Sequence, residues 1–113
     1  MEKSFWVIIL AYGKENFIGS WSIDKLRFLE RYLPQFAIAT KKALHRYYID
    51  GFGGQGTWLS RETGMPVEGS ASIALKQIDK YSHLFFIEKN PDRATKLNQL
   101  ITAYGAQQKA TVN

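Results

Sequence analysis

The stretch from Tyr47 to Gly56, YYIDGFGGQG, limits the possible folds of this chain more than any other stretch does. Three apolar residues lead to Asp50, and four of the next six residues are glycine. This order predicts a buried strand that ends in a loop whose backbone passes close to another group. Glycine permits positive φ and, because it lacks Cβ, lets backbone N–H groups approach a ligand. We therefore expect a nucleotide-like cofactor at this loop, with a simple tight turn as the alternative.

A second apolar stretch also ends in an acid. Residues 83–88, HLFFIE, are almost wholly apolar up to Glu88, and such a continuous run is typical of a parallel strand covered on both faces. Glu88 would then stand at the carboxyl end of its strand, where open α/β sheets bind ligands. Capping of the helix that follows each strand is the alternative role for Asp50 and Glu88.

The spacing Gly51-x-Gly53-x-x-Gly56 matches the dinucleotide-binding fingerprint, but its surroundings disagree with that cofactor. Asp50 immediately precedes the glycines, and Glu88 follows Gly56 by about 32 residues instead of about 20. An acid, a glycine loop and a second strand ending in an acid are instead the order expected for S-adenosylmethionine. Its methionine part is zwitterionic, and its ribose presents two hydroxyls to a carboxylate. Half of an NAD(P)-binding oxidoreductase stays the less favoured alternative.

The remaining chain supplies strands and helices for a single domain. Residues 5–12 are apolar and predict a short buried strand, because a membrane span needs about 20 apolar residues. A helical pattern starts near Ser22, and Pro34 is expected to interrupt it or to open a second helix. The apolar residues of segment 57–68 follow neither the helical nor the strand period. This predicts a loop insertion beside the glycines, which would be either a lid over the cofactor or a plain surface loop.

Two further helices and one strand are predicted after that loop. Ser70 or Ser72 is a plausible cap for a helix whose N-terminus would point back at the glycines. A second helix runs from Pro91 to Tyr104 and ends at Gly105. Another strand starts at 111–112.

These elements predict an α/β fold, a Rossmann-like three-layer α/β/α partial domain with a short parallel sheet. Residues 21–113 would form the cofactor-binding part, and residues 1–20 an N-terminal strand and turn whose role the sequence does not define. The chain has no cysteine, which excludes disulfides and thiolate chemistry, and His45 and His83 have no metal-ligand spacing, so we expect no metal. A net charge of +5 admits a nucleic-acid partner. We expect a cytoplasmic protein with no membrane association.

Four segments in one order resemble the N-terminal half of the three-Cys-motif partner proteins: WSIDKLRFLERYLP, RYYIDGFGGQG, EGSASIALK and FFIEKNPDRATKLNQL. That family looks like class I S-adenosylmethionine-dependent methyltransferases. In it a strand ending Tyr-Ile-Asp precedes Phe-Ala-Gly-x-Gly, and here Gly53 stands where alanine is usual. Its Gly-Ser-x-x-Ile-Ala-Leu and Phe-Ile-Glu-Lys segments are matched by residues 69–75 and 86–89. The similarity covers roughly residues 19–104.

The resemblance implies a binding site for S-adenosylmethionine. The glycine loop, with Asp50, Phe52, Gly54 and Gly56, would surround the methionine end of the cofactor, while Glu88 would hold the ribose hydroxyls. No catalytic residue can be named from the sequence. The strand and glycine pattern and the resemblance together indicate these candidate cofactor-binding residues: Asp50, Gly51, Phe52, Gly53, Gly54, Gly56 and Glu88.

Relatives in that family continue into further strands, which carry an adenine-contacting acid and the segment that meets the substrate. We therefore expect this chain to be a fragment, a truncated gene product, or one piece of a sheet completed by another chain. An unpaired sheet edge would favour homo-oligomerisation. The other functional alternative is a non-catalytic interaction module that works with a partner protein.

Overall fold

The structure is a computed structural model that describes residues 4–9, 17–18, 20–51 and 53–113. These residues form a mixed α/β domain with two sheets. In chain order its elements are β1 (Ser4–Ile9), β2 (Phe17–Ile18), α1 (Ser20–Ala39), β3 (His45–Asp50), β4 (Thr57–Ser60), β5 (Pro66–Glu68), α2 (Ser70–Leu75), β6 (His83–Phe86), α3 (Pro91–Ala103) and β7 (Ala110–Val112).

The main sheet has four parallel strands in the order β1–β3–β6–β7. The strand predicted at residues 5–12 is confirmed over β1, which pairs with β3 along its whole length, and Leu10 to Tyr12 lie outside the described residues. Its predicted burial is wrong at Phe5 and Trp6, which are both exposed. The strands predicted near the two acids are β3 and β6, and the strand at 111–112 is β7. The order across the sheet follows the order along the chain. Because such crossovers are almost always right-handed, this order places the connecting helices on one face.

The loop predicted over residues 57–68 is wrong. Its two ends are β4 and β5, which pair antiparallel, and β2 adds to β4 to form a second, three-stranded sheet. The turn between them closes with a hydrogen bond from the Ser60 N–H to the Met65 carbonyl, and Gly64 takes a φ of +70°. Four-residue and three-residue strands are too short to show a period, which is why the sequence did not reveal them.

Helix α1 is continuous, so the predicted break at Pro34 is also wrong. Proline removes one helical hydrogen bond, which costs about 3 kcal/mol in a helix interior. Packing opposes that cost here, because Leu33 and Ala37 on either side of Pro34 are both buried against the core. The apolar face of the helix therefore decides its length.

The starts of α2 and α3 contrast in how they are capped. The predicted cap of α2 at Ser70 or Ser72 is wrong, because the N-cap is Gly69, with no side-chain hydrogen bond. The start of α3 is the predicted one, since Asn90 Oδ1 accepts from the Arg93 N–H at 3.1 Å and Pro91 is the first helical residue. The predicted end is confirmed as well, because Gly105 has a φ of +65° just after the helix.

The helices all pack on one face of the main sheet, so the predicted coverage of β6 on both faces is wrong. On the covered face the buried strand residues Tyr48, Leu84 and Phe86 are 0% exposed and pack with α1, α2 and α3. The alternate residues of β3 and β6 are only half-buried. Among the described residues, the main sheet and its helices thus form two layers, where the sequence predicts three. Within the part of the chain that the structure describes, no helix is long and apolar enough to cross a membrane.

Candidate functional site at the carboxyl ends of two parallel strands

The candidate site lies where β3 and β6 end side by side. Hydrogen bonding continues beyond both strands, because the Ile87 N–H donates to the Asp50 carbonyl at 2.9 Å and the Gly53 N–H donates to the Ile87 carbonyl at 2.8 Å. The glycine loop therefore stays paired with the segment after β6. This pairing brings Gly54 next to Glu88.

Glu88 is held by two backbone donors. Its Oε1 accepts from the Gly54 N–H and its Oε2 from the Asn90 N–H, each at 2.9 Å. The carboxylate is half-buried and joins the glycine loop to the start of α3. An ionised carboxylate offers about four lone-pair directions, so two remain for other donors. The side chain is thus fixed in orientation and still able to accept hydrogen bonds from a ligand.

Asp50 lies elsewhere, in the interior beneath α2. Its carboxylate is 0% exposed, and its Oδ2 accepts from the Tyr48 hydroxyl at 3.1 Å and from the Ser70 hydroxyl. Ser70 is the first residue of α2, so this contact fastens the end of β3 to that helix. The contacts of Asp50 therefore point to positioning of the loop from below, while Glu88 lies at the half-exposed edge.

The glycines of the loop pack against the protein's own side chains. A Cβ on Gly53 would lie 2.9 Å from Leu97 Cδ2, and one on Gly56 would lie 2.5 Å from Leu100 Cδ2. Gly54 has a φ of +73° and Gly56 a φ of +94°, which L residues rarely adopt. Gly51 starts the turn and is half-buried, and Phe52 lies outside the described residues. Internal packing thus explains why these positions are glycine, in addition to the close approach of a ligand that the sequence predicts.

Trp58 is the largest side chain against this loop, and no local pattern in the sequence indicates its position there. The ring is 1% exposed, and a Cβ on Gly54 or on Gly69 would lie within 2.6 Å of it. The Arg93 guanidinium lies 5.3 Å from the centroid of the Trp58 ring. In addition, the Gly69 N–H donates to the Gly56 carbonyl at 2.7 Å, as expected for a helix start that points back at the loop. The loop is therefore held on both sides before any ligand binds.

Other parts of the described chain do not join this site. A groove of about 510 Å³ lies between α1 and the β4–β5 hairpin, and it is lined by none of the six predicted cofactor-binding residues that the structure describes. Within the described ranges, no three histidine, aspartate or glutamate side chains come together as a metal site would need. His45 and His83 instead lie against aromatic rings on the face of the main sheet that carries no helices.

Comparisons with known proteins add no relative. No family model matches the chain, and no curated protein or solved structure is significantly similar to it.

Proposed function

We propose that the carboxyl edge of β3 and β6 binds S-adenosylmethionine, and that the chain is the cofactor-binding part of a methyltransferase-like protein. The observation that carries this proposal is the contact between Glu88 Oε1 and the Gly54 N–H, 2.9 Å apart, at the edge where parallel sheets bind ligands. The resemblance to the three-Cys-motif partner proteins supports the same residues.

Glu88 would take the ribose of the cofactor. The Gly54 and Asn90 N–H groups already orient its carboxylate, so little side-chain freedom is lost when two ribose hydroxyls donate to the remaining lone pairs. The loop beside it is equally fixed by Trp58 and the α3 leucines. Such preorganisation raises affinity because it lowers the cost of ordering the site.

Asp50 and Ser70 would act as positioning residues for the loop. Their hydrogen bond ties the last residue of β3 to the first residue of α2, and the helix start in turn holds Gly56 through Gly69. The proposed fold is accordingly a Rossmann-like half-domain, a truncated relative of the class I methyltransferase fold. Its strand order has no reversal, so the proposed site depends on the strand ends and the glycine loop alone.

The chemistry that the cofactor supplies when bound is an activated methyl group on sulfur. In such a reaction the protein mainly positions the acceptor in line with the methyl group. We assign no general base and no acceptor-binding residue to the described chain. The proposal therefore concerns cofactor binding, and a protein partner or a longer chain would supply the rest of a methyl-transfer site.

Isothermal titration calorimetry with S-adenosylmethionine and, separately, with NAD tests the proposal. We expect binding of S-adenosylmethionine that weakens by about tenfold or more in Glu88→Gln, because hydrogen bonds to a charged acceptor are worth about 1.5 to 3 kcal/mol. Glu62→Gln, an exposed residue in the β4–β5 turn, is the matched control and should bind like the parent. Binding of neither compound, or of NAD alone, would refute the proposal.

A further inference from the structure

One face of the main sheet carries a cluster of aromatic rings and no helix among the described residues. We call it the open sheet face and define it by Trp6, His45, Tyr47, His83 and Phe85. The pairing register places Trp6 and His83 on either side of Tyr47, so these side chains share one face. Trp6 is 50% exposed, and the four other rings are half-buried. Their neighbours along the strands, Tyr48 and Leu84, are completely buried on the other face.

The rings form one connected surface across three strands. The ring of Tyr47 lies at its centre, with centroid distances of 4.5 Å to Trp6, 5.8 Å to His45 and 6.2 Å to Phe85. Phe85 continues the series to His83 at 4.5 Å. The rings support one another, so their orientations are restricted before anything binds. The ring planes are tilted against one another by 21° to 49°, and the exposed parts of the rings, of which Trp6 offers the most, are suited to stacking with other planar groups.

Positive charge lies along the amino ends of the same strands. The segments 40–44, 78–82 and 106–109 precede β3, β6 and β7 and contain four lysines and one aspartate. Three of the lysines are exposed, namely Lys41, Lys42 and Lys80. The guanidinium of Arg46 holds two of these segments in place, since it donates to the Lys80 carbonyl at 2.8 Å and to the Thr40 carbonyl at 2.9 Å.

We propose that the open sheet face binds single-stranded nucleic acid. Unpaired bases would stack on Tyr47, Phe85 and Trp6, and the phosphates would follow the lysines at the amino ends of the strands. Single strands are bound in this way because every base has a face that can stack on an aromatic ring while a positive margin tracks the backbone. The bases of a duplex are stacked on one another and cannot reach the sheet. This site is separate from the carboxyl edge and does not depend on cofactor binding.

Fluorescence anisotropy with a labelled 12-nucleotide oligouridylate, and with a duplex of the same length, tests this proposal. We expect the single strand to bind more tightly than the duplex. Tyr47→Leu and Phe85→Leu should each weaken binding by about tenfold, the effect of losing one stacking partner, and Tyr47→Trp should retain it. Phe28→Leu is the matched control, because Phe28 is 62% exposed on α1 and lies off this face. Glu88→Gln should bind the oligonucleotide normally, which separates this outcome from the cofactor proposal.

A charge variant gives a second readout that does not disturb the aromatic rings. Replacing the exposed Lys41 and Lys42 by glutamine should lower the slope of log K against log salt by about 1.4, since each phosphate contact on a single strand contributes about 0.7. An unchanged slope, or an unchanged affinity of correctly folded Tyr47→Leu, would overturn the proposal. Equal binding of single strand and duplex would overturn it too. So would a dimer in sedimentation that binds no oligonucleotide, because the face would then be an interface between copies of this chain.

Discussion

The two faces of the main sheet differ although the same strands build both. Phe85 and Phe86 are neighbours in β6, yet Phe86 is 0% exposed beneath the helices and Phe85 is half-buried among the rings of the open sheet face. Every described helix packs on the Phe86 side, as the strand order requires. Apolar residues along a strand therefore indicate which face of the sheet could be covered, while the strand order decides which face the helices cover.

This division gives the two faces different roles. The covered face holds the buried residues of β3, β6 and all three helices, and most of the free energy of folding should come from it. The open sheet face should contribute little to folding and is available for binding. The four predictions below, in order of expected effect, comprise two matched pairs of residues and one titratable residue on each face.

The largest difference is expected between Phe86→Ala and Phe85→Ala. Removing a fully buried phenylalanine typically costs about 3 to 5 kcal/mol, because it leaves a cavity, whereas removing the half-buried Phe85 should cost about 1 kcal/mol. Urea denaturation followed by circular dichroism measures both free energies of unfolding. Equal losses in the two variants would mean that both faces of the sheet are covered in solution.

A second pair compares a packed glycine with a free one. Gly54 and Gly64 have nearly equal φ angles, +73° and +70°, but only the Cβ of a residue at Gly54 would meet another side chain, 2.6 Å from Trp58 Cζ2. We expect Gly64→Ala to cost about 1 kcal/mol from backbone strain and Gly54→Ala about 3 kcal/mol, because overpacking adds to the same strain. Thermal melts of both variants measure the difference. A Gly54→Ala protein as stable as Gly64→Ala would show that Trp58 does not hold the loop.

Tyr81 should limit stability at high pH from the covered side. Burial raises its pKa to about 12, and its hydroxyl donates to the Leu33 carbonyl at 3.0 Å. Between about pH 10 and about pH 12 the unfolded chain loses this proton while the folded chain keeps it. The free energy of unfolding must therefore fall across that window. Tyr81→Phe should be less stable at pH 7, and urea titrations from pH 9 to pH 12 should show that it lacks this pH dependence. An equal fall of the free energy of unfolding with pH in the variant and the parent would contradict this role of Tyr81.

His83 should have a smaller and opposite effect from the open sheet face. Burial, and then the charge of Lys109, lower its pKa from the ordinary value. Below about pH 6.5 the unfolded chain takes up a proton that the folded chain resists, so stability falls as the pH is lowered. In His83→Gln, stability should depend less on pH below about pH 6.5. The measurement is the unfolding midpoint in urea between pH 5 and pH 8. The same pH dependence in the variant as in the parent would contradict a lowered pKa at His83.

The sequence predicts those elements whose signals are local. The strand β3 is an apolar run that ends in Asp50, and β6 lies in an apolar run that leads to Glu88. Pro91 marks the start of α3, and Gly105 follows its end. Helix α1 shows where such signals mislead. Pro34 is a strong local breaker, but buried leucines around it keep the helix intact, and that packing is a property of the whole fold.

The candidate site was predictable in part for the same reason. The meeting of Glu88 and the glycine loop follows from the pairing of parallel strands, so the sequence predicts that both lie at one edge. The contacts of Trp58 with Gly54 and Gly69 join segments from separate elements, and no local sequence pattern predicts them. Likewise, the position of Ser70 in the sequence makes it a plausible helix cap. Its hydroxyl instead donates to Asp50, because the end of β3 lies beneath it.

The most direct test of the central claim is the amide NMR spectrum of the protein during titration with S-adenosylmethionine. If the ribose takes the free lone pairs of the Glu88 carboxylate, the amide protons of Gly54 and Asn90 that donate to the same oxygens should show the largest shifts. The amides of Tyr47 and Phe85 in the open sheet face should move little. Shifts confined to residues away from Glu88, or no shifts at saturating cofactor, would contradict the claim.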